Sequence, residues 1–419
     1  MNLLALYKKN PKISTDTRKI QEGSIFFALK GANFDGNKFA STAIGQGAAY
    51  VVVEDPSVVE DERYILVDDV LKSLQELSTA YRKTLSTKII VVAGSNGKTT
   101  SKELLQAVLS KKLKTFSTPG NLNNHIGVPL TLLQMPEDTE IAVIEIGANH
   151  TLENAFLCEI AKPDFGLVTN CGKDHLEGFG GIEGVISSNK EVYDYLRETG
   201  GQTFINGDDT LLLSISEGVK RITYGADPSN DYSGTLKDLF PFVSVDYNGL
   251  TLDSHLFGSF HLYNILAATA VGAHFGVSLD DIREAVKEYT PVNNRSQIIN
   301  WNNNKVLLDA YNANPSSMGE MISTFARFQH PLKVLVLGDM FELGKDEETE
   351  HAEMVDTALK SGAESSIFVG KAFAKHRSAN GHFFENTEEA KRYIHEKGFK
   401  NAFFLVKGSR GMALERIFQ

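Results

Sequence analysis

The chain has 419 residues, of which 42% are hydrophobic and 23% are charged, as is ordinary for a globular protein. Its formal net charge of −11 argues against nucleic acid or an anionic membrane as a bulk partner, because both bind basic surfaces. Two cysteines are too few for a disulfide framework or a Cys-ligated zinc site.

The length suggests two or three domains, at roughly 150 residues per domain. The N-terminal segment MNLLALYKKNPK has a very short apolar stretch and no cleavage-like site. No apolar run reaches the roughly 18 residues that are needed to span a bilayer. We therefore expect a cytoplasmic protein without membrane insertion, and we expect a monomer.

Residues 1–86 are predicted to form a small mixed α/β domain. The segments SIFFALKG, AAYVVVED and RYILVDDV have the composition of short strands, and LKSLQELSTAYRKTL has the apolar spacing of an amphipathic helix. The boundary with the next domain is predicted at Ser86-Thr87.

Residues 87–291 alternate between strand-like and helix-like segments. The clearest strands are KIIVVAG, EIAVIEIG, DFGLVTN, QTFING and RITYG, and helical runs separate several of them. This alternation is typical of a largely parallel sheet with helices on both faces. Within 240–258, apolar and polar residues alternate around an Asn-Gly pair, which predicts a hairpin. The apolar run HLYNILAATAVGAHFG predicts a packed helix.

Within this domain, the segment KIIVVAGSNGKTT at residues 88–100 predicts a phosphate site. An apolar strand ends at a glycine-containing turn, and the helical pattern SKELLQAVLSKK follows, so backbone N–H groups and the helix dipole point at an anion. A lysine adds a mobile positive charge, and a threonine hydroxyl can hold Mg²⁺. The predicted nucleoside triphosphate loop comprises Gly94, Ser95, Asn96, Gly97, Lys98, Thr99 and Thr100.

The match to the usual phosphate-loop pattern is incomplete. The first glycine of G-x-x-x-x-G-K-[ST] is expected at position 92, which is Val92. The alternative is a generic strand–loop–helix unit with an incidental lysine. The phosphate site is favoured because Gly97, Lys98 and Thr99 all fall where the strand ends.

Two residues near this loop are candidate metal ligands. Glu145 ends the strand EIAVIEIG, where a carboxylate can hold Mg²⁺ together with phosphate oxygens and water. The alternative for Glu145 is an acid that caps a turn. His175 lies in the glycine-rich loop TNCGKDHLEGFGG, where it has either a metal or phosphate role or a structural one. Its neighbours Lys173, Asp174 and Glu177 are predicted to form a solvated turn.

Two loops are rich in uncharged hydrogen-bonding groups. The segment STPGNLNNHIGVPL contains Asn121, Asn123 and Asn124, which suit a sugar or diphosphate but equally suit a surface loop. The segment DAYNANPSSM at 309–318 joins a strand-end aspartate to a helix N-terminus that can accept an anion or a peptide carboxylate.

Residues 292–419 repeat the strand–helix alternation and predict a second doubly wound domain. The strands are predicted in KVLLDA, LKVLVLGDM, SSIFVG, HFFEN and NAFFLVKG, and a helix is predicted to begin at Pro315 with Asn314 as its N-cap. Ligands of such sheets bind beyond the carboxyl ends of the strands, where Asp309, Asp339 and Lys407 fall. Arg295, at the junction between the domains, can reach a phosphate or form an interdomain salt bridge.

Taken together, these segments resemble the ATP-dependent Mur ligase family over essentially the whole chain. The loop GSNGKTT and the residues that follow it occur in the family's order: Glu145, His175, Asn264, Arg295 and Asp309. The resemblance implies an α/β protein of three domains. These are a UDP-sugar domain at 1–86, a central ATPase at 87–291 and a Rossmann-like domain for the incoming amino acid or dipeptide at 292–419.

Four segments resemble one branch of the family, which adds D-alanyl-D-alanine to a UDP-N-acetylmuramoyl-tripeptide. They are TDTRKIQEGSIFFALKGANFDG, TPGNLNNHIGVPL, YNANPSSM and LGDMFELG. The resemblance implies that ATP phosphorylates the terminal carboxylate of the acceptor and that the dipeptide amine attacks the acyl phosphate. A relative that acts on another acceptor, such as a folate, and a nucleotide-binding homologue without turnover are the alternatives.

The resemblance also assigns roles by position. Thr99 and Glu145 would hold one Mg²⁺, and His175 would serve a second. Lys98 and Arg295 would neutralise phosphate charge, Asn264 would lie near adenine, and Asp309 near ribose. The implied substrate contacts are Thr17, Arg18, Asp35, Asn121, Asn123, Asn124, Tyr311, Asn312 and Asn314.

The chain departs from the family pattern in two places. The family usually carries a carbamylated lysine two residues before a glutamate, and Glu191 places Asn189 at that position with Lys190 one residue later. Either Lys190 is carbamylated after a shift of the segment, or Asn189 replaces the lysine with a neutral amide, which is the favoured reading. In addition, His261 stands where an asparagine is expected three residues before Asn264.

Overall fold

The computed structural model describes residues 2–419 and shows an N-terminal parallel sheet of four strands in the order β1-β2-β5-β6. The predicted strands and the predicted helix are all present. The short pair β3–β4 and the first helix were not predicted. The elements are α1 (Leu3–Lys9), β1 (Ile13–Ser14), β2 (Ile25–Phe27), β3 (Lys30–Gly31), β4 (Phe34–Asp35), α2 (Ala40–Gly45), β5 (Tyr50–Val53), β6 (Tyr64–Leu66) and α3 (Val70–Arg82).

The central sheet has seven parallel strands in the order β13-β12-β11-β10-β7-β9-β8. The elements are β7 (Lys88–Ala93), α4 (Lys98–Leu109), β8 (Thr115–Ser117), α5 (Gly127–Gln134), β9 (Ile141–Glu145), α6 (Glu153–Ala161), β10 (Phe165–Val168), α7 (Leu176–Phe179), α8 (Ile182–Thr199), β11 (Gln202–Asn206), α9 (Thr210–Ile215), β12 (Lys220–Gly225) and β13 (Tyr232–Ser233).

Strand β7 shows why helices cover both faces of this sheet. Ile90 and Val92 belong to one hydrophobic core, whereas Ile89 and Val91 belong to the core on the opposite face. All four side chains are fully buried, because successive residues of a strand point to opposite faces. The prediction of a doubly covered parallel sheet is therefore confirmed.

The rest of the central region holds an antiparallel sheet and two helices: β14 (Thr235–Asp238), β15 (Ser244–Tyr247), β16 (Leu250–Asp253), α10 (His261–His274) and α11 (Leu279–Glu288). The predicted hairpin is confirmed, since β15 pairs with β16. Asn248 and Gly249 both have positive φ at its turn, as a tight hairpin requires. Strands β13 and β14 were not predicted.

The C-terminal sheet has six strands in the order β17-β18-β22-β19-β20-β21. Its five predicted strands and the helix that begins at Pro315 are confirmed, whereas the antiparallel edge strand β17 was not predicted. The elements are β17 (Gln297–Trp301), β18 (Asn304–Asp309), α12 (Pro315–Arg327), β19 (Lys333–Gly338), α13 (Glu347–Leu359), β20 (Ser365–Val369), α14 (Lys371–Ala374), β21 (His382–Phe384), α15 (Thr387–Lys397) and β22 (Phe403–Lys407).

The topology brings the candidate loops together. Strands β9, β7 and β10 are neighbours and parallel, so the loops that follow them leave the same edge of the central sheet. The phosphate loop follows β7, Glu145 ends β9, and the His175 loop follows β10. This edge faces the segment that follows β18 in the C-terminal sheet, because Asn314 hydrogen-bonds to both Asn96 and Asp174.

Candidate active site

A cleft of about 1020 Å³ lies between the central and C-terminal sheets. Its lining comes from the loops at the carboxyl ends of both sheets, which is where ligands of doubly wound sheets bind. The cleft holds most of the residues that the sequence singled out. Lining residues come from within segments 95–100, 121–124, 145–149, 169–175, 206–209, 259–264, 295–296, 309–320, 341–342 and 407–411.

The phosphate loop is shaped by two glycines with positive φ. Gly94 has φ of 118°, and a Cβ atom there would lie 2.2 Å from the hydroxyl of Thr169. Gly97 has φ of 82° and immediately precedes α4. The loop is fixed from the next strand, because Asn170 accepts a hydrogen bond from the Asn96 amide and Thr169 donates to the Asn96 carbonyl. The backbone is therefore held in the form that presents its N–H groups and the helix N-terminus to an anion.

Lys98 supplies the positive charge of this loop. Its Nζ donates to the carbonyls of Gly94 and Ser95, and it lies 4.0 Å from an oxygen of Asp174. Thr99, the next residue, is buried in the first turn of α4.

Asp174 does not lie in a solvated turn, and that prediction was wrong. It is 5% exposed, because α12 of the C-terminal domain covers it and the side-chain amide of Asn314 donates to it. Lys173 is also engaged, since it forms an ion pair with Glu350 of α13. The sequence could not show this, because both contacts come from residues more than a hundred positions away.

Glu145 is 1% exposed and points into the cleft from the end of β9. Its Oε1 accepts a hydrogen bond of 2.8 Å from the side-chain amide of Asn123, and its backbone N–H donates to the hydroxyl of Thr118. Its Oε2 is buried and accepts no hydrogen bond from residues 2–419, although the ammonium of Lys102 lies 3.9 Å away. A buried carboxylate oxygen without a hydrogen-bond donor can accept a cation.

His175 lies in the cleft with a positive φ of 47° and contacts Glu342 of the C-terminal domain through Nδ1. Its Nε2 lies 3.7 Å from Asp174. Among residues 2–419, no three His, Cys, Asp or Glu side chains converge on one metal position. The predicted second ion therefore has only His175 and its carboxylate neighbours to bind it.

Asn264 and His261 form a buried pair at the start of α10. The Asn264 amide donates to His261 Nδ1 over 3.0 Å, and its oxygen would lie 3.1 Å from a Cβ atom at Gly97. Asn264 therefore packs directly against the phosphate loop. His261 replaces the expected asparagine but still accepts a hydrogen bond from its neighbour.

Burial lowers the pKa of His261 to about 4, with a smaller opposing effect of Asp309. The unfolded chain, with a histidine pKa near 6.5, then binds more protons between pH 4 and 6.5. We expect the free energy of unfolding to fall by roughly 3 kcal/mol as the pH drops from about 6.5 to about 4, because protonation of the unfolded chain then competes with burial of the neutral imidazole. Urea unfolding across this range should show the loss in the wild type and a flatter profile in His261→Gln. A difference between the two proteins that does not change with pH would contradict the assignment.

Arg295 and Asp309 occupy the C-terminal side of the cleft. The Arg295 guanidinium lies over the ring of Tyr311, with Cζ 3.7 Å from the ring centroid. Within residues 2–419 it pairs with no carboxylate, so the interdomain salt bridge is not formed. Asp309 accepts a 2.6 Å hydrogen bond from Lys407 and another from the Ser296 amide. Its carboxylate is therefore fixed at the end of β18.

Asn314 joins the two sides of the cleft. Its oxygen caps α12 by accepting from the Ser317 amide, while its Nδ2 donates to Asn96 over 2.8 Å and to Asp174 over 3.2 Å. The N-terminus of α12 is thus held against the phosphate loop. Asn312 lines the cleft, and its backbone carbonyl accepts from Lys407.

The three asparagines of the 117–130 loop have different surroundings. Asn123 donates to Glu145, Asn124 accepts from the Gly127 amide at the start of α5, and Asn121 is exposed in the cleft. All three line the cleft, so this segment is not a surface loop remote from the site.

The N-terminal candidates do not line this cleft. Arg18 pairs with Asp16, and its side chain is 86% exposed. Thr17 begins the same short helical turn. Asp35 accepts hydrogen bonds from the backbone and side-chain amides of Asn37, so it caps a turn. A substrate that reaches both this domain and the cleft must be extended.

The structure separates Asn189 from Lys190. Asn189 is buried in α8, donates to the Val185 carbonyl and faces a small cavity beneath Gly94 and Asp174. Lys190 instead forms an ion pair with Asp194 one turn later. Asn189 thus lies on the site side of the helix.

We therefore predict that Lys190→Met leaves turnover within about twofold of the wild type, since an exposed i,i+4 ion pair contributes only about 0.3–0.5 kcal/mol. Steady-state turnover, with the thermal midpoint as a check on folding, measures this. A loss of tenfold or more would show that a lysine at 190 takes part in the site.

Sequence reasoning overlooked Lys102 and Glu342. Lys102 is buried on the same face of α4 as Leu105 and Leu109, so a charged residue within an apolar helical stripe was the available signal. Glu342 carried no such signal, because its contact with His175 depends on how the domains pack.

No helix among residues 2–419 is long and apolar enough to cross a membrane.

Comparison with known proteins establishes the class. Residues 12–104 match the catalytic domain of the Mur ligase family, residues 92–272 its middle domain and residues 294–410 its glutamate ligase domain. The chain belongs to the Mur ligase family, whose members form amide bonds at the expense of ATP.

Relatives within this family extend over nearly the whole chain. It is 36% identical to the UDP-N-acetylmuramoyl-tripeptide–D-alanyl-D-alanine ligase of Bacillus subtilis, with 97% of this chain and 92% of the relative aligned. The enzyme of the same name from Escherichia coli is 34% identical, with the same shares covered.

Solved structures agree with this relationship. A crystal structure of MurF from Acinetobacter baumannii superimposes with a TM-score of 0.88 at 28% identity, covering 97% of this chain and 92% of that one. The MurF ligase of Thermotoga maritima in complex with ADP gives a TM-score of 0.87 at 26% identity, covering 100% and 97%. The predicted three-domain α/β fold is thereby confirmed.

Proposed function

We propose that this chain is the ligase that joins D-alanyl-D-alanine to UDP-N-acetylmuramoyl-tripeptide with ATP, in the synthesis of the peptidoglycan precursor. The relatives of that name, aligned over 97% of the chain, support this assignment. One structural observation carries the mechanism: the phosphate loop and the N-terminus of α12 face each other across one cleft, joined by the hydrogen bond between Asn96 and Asn314.

The reaction has two steps. The terminal carboxylate of the tripeptide attacks the γ-phosphorus of ATP, and the bond from that phosphorus to the β,γ-bridging oxygen breaks. ADP departs, and the tripeptide now carries an acyl phosphate. The dipeptide amine then attacks the acyl carbon, the carbon–oxygen bond breaks, phosphate departs and the nitrogen loses a proton. Phosphoryl transfer depends on alignment and charge neutralisation more than on covalent catalysis by the protein.

The residues of the cleft fit these needs. The phosphate loop supplies N–H donors and the positive end of α4, and Lys98 adds a cation to the γ-phosphate region. Arg295, which pairs with no carboxylate among the described residues, supplies a second cation from the opposite side. We assign Asn264 to the adenine side, since it packs on Gly97, and Asp309 to the ribose. Tyr311, Asn312 and Asn314 would contact the dipeptide.

The residues also fit a magnesium ion. The buried Oε2 of Glu145 accepts no hydrogen bond within the described part of the chain, and the Thr99 hydroxyl lies at the start of α4. We propose that these two residues hold Mg²⁺ and that His175 serves a second ion, with Asn189 as a neutral substitute for the usual lysine. Bound Mg²⁺ would neutralise phosphate charge.

The acceptor would extend from the cleft to the N-terminal domain. There, Thr17, Arg18 and Asp35 would contact its UDP portion, and Asn121, Asn123 and Asn124 its sugar or diphosphate. The protein would act as a monomer in the cytoplasm and would consume ATP. Light scattering of the purified protein tests its oligomeric state.

Phosphate release tests the function. Purified protein with ATP, Mg²⁺ and D-alanyl-D-alanine is given UDP-N-acetylmuramoyl-tripeptide that carries either meso-diaminopimelate or lysine at its third position. We expect release and a product whose mass equals that of the two substrates minus water, with at least one tripeptide. No release above background from folded protein would reject the ligase assignment, and product with a folate acceptor instead would select the alternative substrate.

A further inference from the structure

Lys102 is a buried cation that no step of the reaction requires. It lies one helical turn after Lys98 on α4 and is 2% exposed. Burying an ammonium group is costly, and an apolar side chain would fill the same stripe of α4 at a lower cost. The reason for a charge at this position therefore lies in the groups that the ammonium contacts.

The ammonium of Lys102 holds the loop that contains the three asparagines. Its Nζ donates to the carbonyl of Thr118 over 3.0 Å and to that of Gly120 over 3.2 Å. These carbonyls come directly before Asn121, at the start of the cleft-lining part of the loop. Helix α4, which follows the phosphate loop, thus also fixes the start of a second loop through Lys102.

The same ammonium lies 3.9 Å from Glu145 Oε2 and 3.9 Å from an oxygen of Glu103. Glu145 is tied to this loop by two further hydrogen bonds, one from Asn123 and one to the hydroxyl of Thr118. Lys102 therefore lies where α4, the loop and the candidate metal carboxylate meet, and its positive charge offsets part of the negative charge of the two carboxylates.

Resting on the function proposed above, we propose that Lys102 is a positioning residue that couples the nucleotide site to the acceptor site. It sets the conformation of the loop at 118–124, and through Asn123 the orientation of Glu145, without touching either substrate. This ammonium thereby joins the helix that follows the phosphate loop to the asparagines that face the acceptor.

The test is Lys102→Met, which removes the ammonium and keeps the length of the side chain. We expect hydrogen exchange at the amides of Thr118, Leu122 and Asn123 to accelerate at least tenfold. The KM for the acceptor should rise at least tenfold, while the Kd for ADP in calorimetry changes less than threefold. Unchanged exchange and acceptor KM in folded protein would overturn the proposal, as would a parallel loss of ADP affinity.

Lys112→Met is the matched control. From the turn that follows α4, its Nζ also donates to two backbone carbonyls, those of Phe275 and Gly276. We expect this variant to leave loop exchange, acceptor KM and ADP affinity unchanged. If it alters loop exchange as much as Lys102→Met does, a general loosening of α4 explains both results and the coupling role is rejected.

A second variant covers the case in which Lys102→Met does not fold, since that change leaves Glu145 buried without a cation. The double variant Lys102→Met/Glu145→Gln removes both charges. Its loop amides should still exchange at least tenfold faster than those of Glu145→Gln alone, and equal rates would overturn the proposal. Exchange and ADP affinity need no turnover, so they remain readable even if the proposed ligase reaction is not observed.

Discussion

Lys98→Met should reduce the turnover number by about 10³-fold, or roughly 4 kcal/mol of transition-state stabilisation. Lys98 is the only charged side chain of the loop at 94–100, and its Nζ is held by backbone carbonyls of that loop. Methionine preserves the length of the side chain but cannot neutralise phosphate. Steady-state kinetics with saturating substrates measures the effect.

The folded state should survive this change, because Lys98 lies 4.0 Å from Asp174 and, within residues 2–419, its ammonium donates hydrogen bonds only to carbonyls of its own loop. The control is Lys190→Met, which removes a lysine paired with Asp194 on α8. A thermal midpoint near that of the wild type would show that the loss is catalytic. Turnover of Lys98→Met within tenfold of the wild type would mean that the phosphate site is misassigned.

Glu145→Gln should lower turnover by about 10²- to 10³-fold and shift the Mg²⁺ concentration for half-maximal activity upward. Glutamine retains an oxygen that can accept from Asn123 but loses the charge of the buried Oε2. Turnover measured over a range of Mg²⁺ concentrations separates weaker metal binding, which high Mg²⁺ partly restores, from a lost orientation of the loop, which it does not.

Glu103→Gln is a matched control for this prediction. Its carboxylate is also 3.9 Å from Lys102 but does not line the cleft, and it accepts a hydrogen bond from Tyr289. It should leave the Mg²⁺ dependence unchanged, even if it costs stability. Equal shifts in both variants would assign the effect to the charge of Lys102 and not to a metal ligand.

Most of the fold could be predicted from short patterns. The run Ile89 to Ala93 is apolar at every position, as a strand covered on both faces must be, and Asn248-Gly249 marks the hairpin turn. The prediction failed at edge elements such as β3, β13 and β17. These are held by one neighbouring strand and carry little burial pattern of their own, so their sequences do not distinguish them from loops.

The candidate site was predicted in part. The phosphate loop, Glu145, Arg295 and Asn314 do line one cleft, and their positions at strand and helix ends made this foreseeable. The surroundings of Asp174 were predicted wrongly. Its burial arises from α12, and no pattern near residue 174 reports on a helix that begins at Pro315.

The spacing of glycine, lysine and threonine between a strand and a helix was enough to specify a nucleotide loop, because those requirements involve adjacent residues. The order of motifs was enough to indicate the family. The partners of the buried charges were accessible only from the folded molecule. Lys102 of α4 lies near Glu145 at the end of β9, and His175 contacts Glu342 of the C-terminal domain. Both contacts join segments that are far apart in the sequence, so they follow from long-range packing.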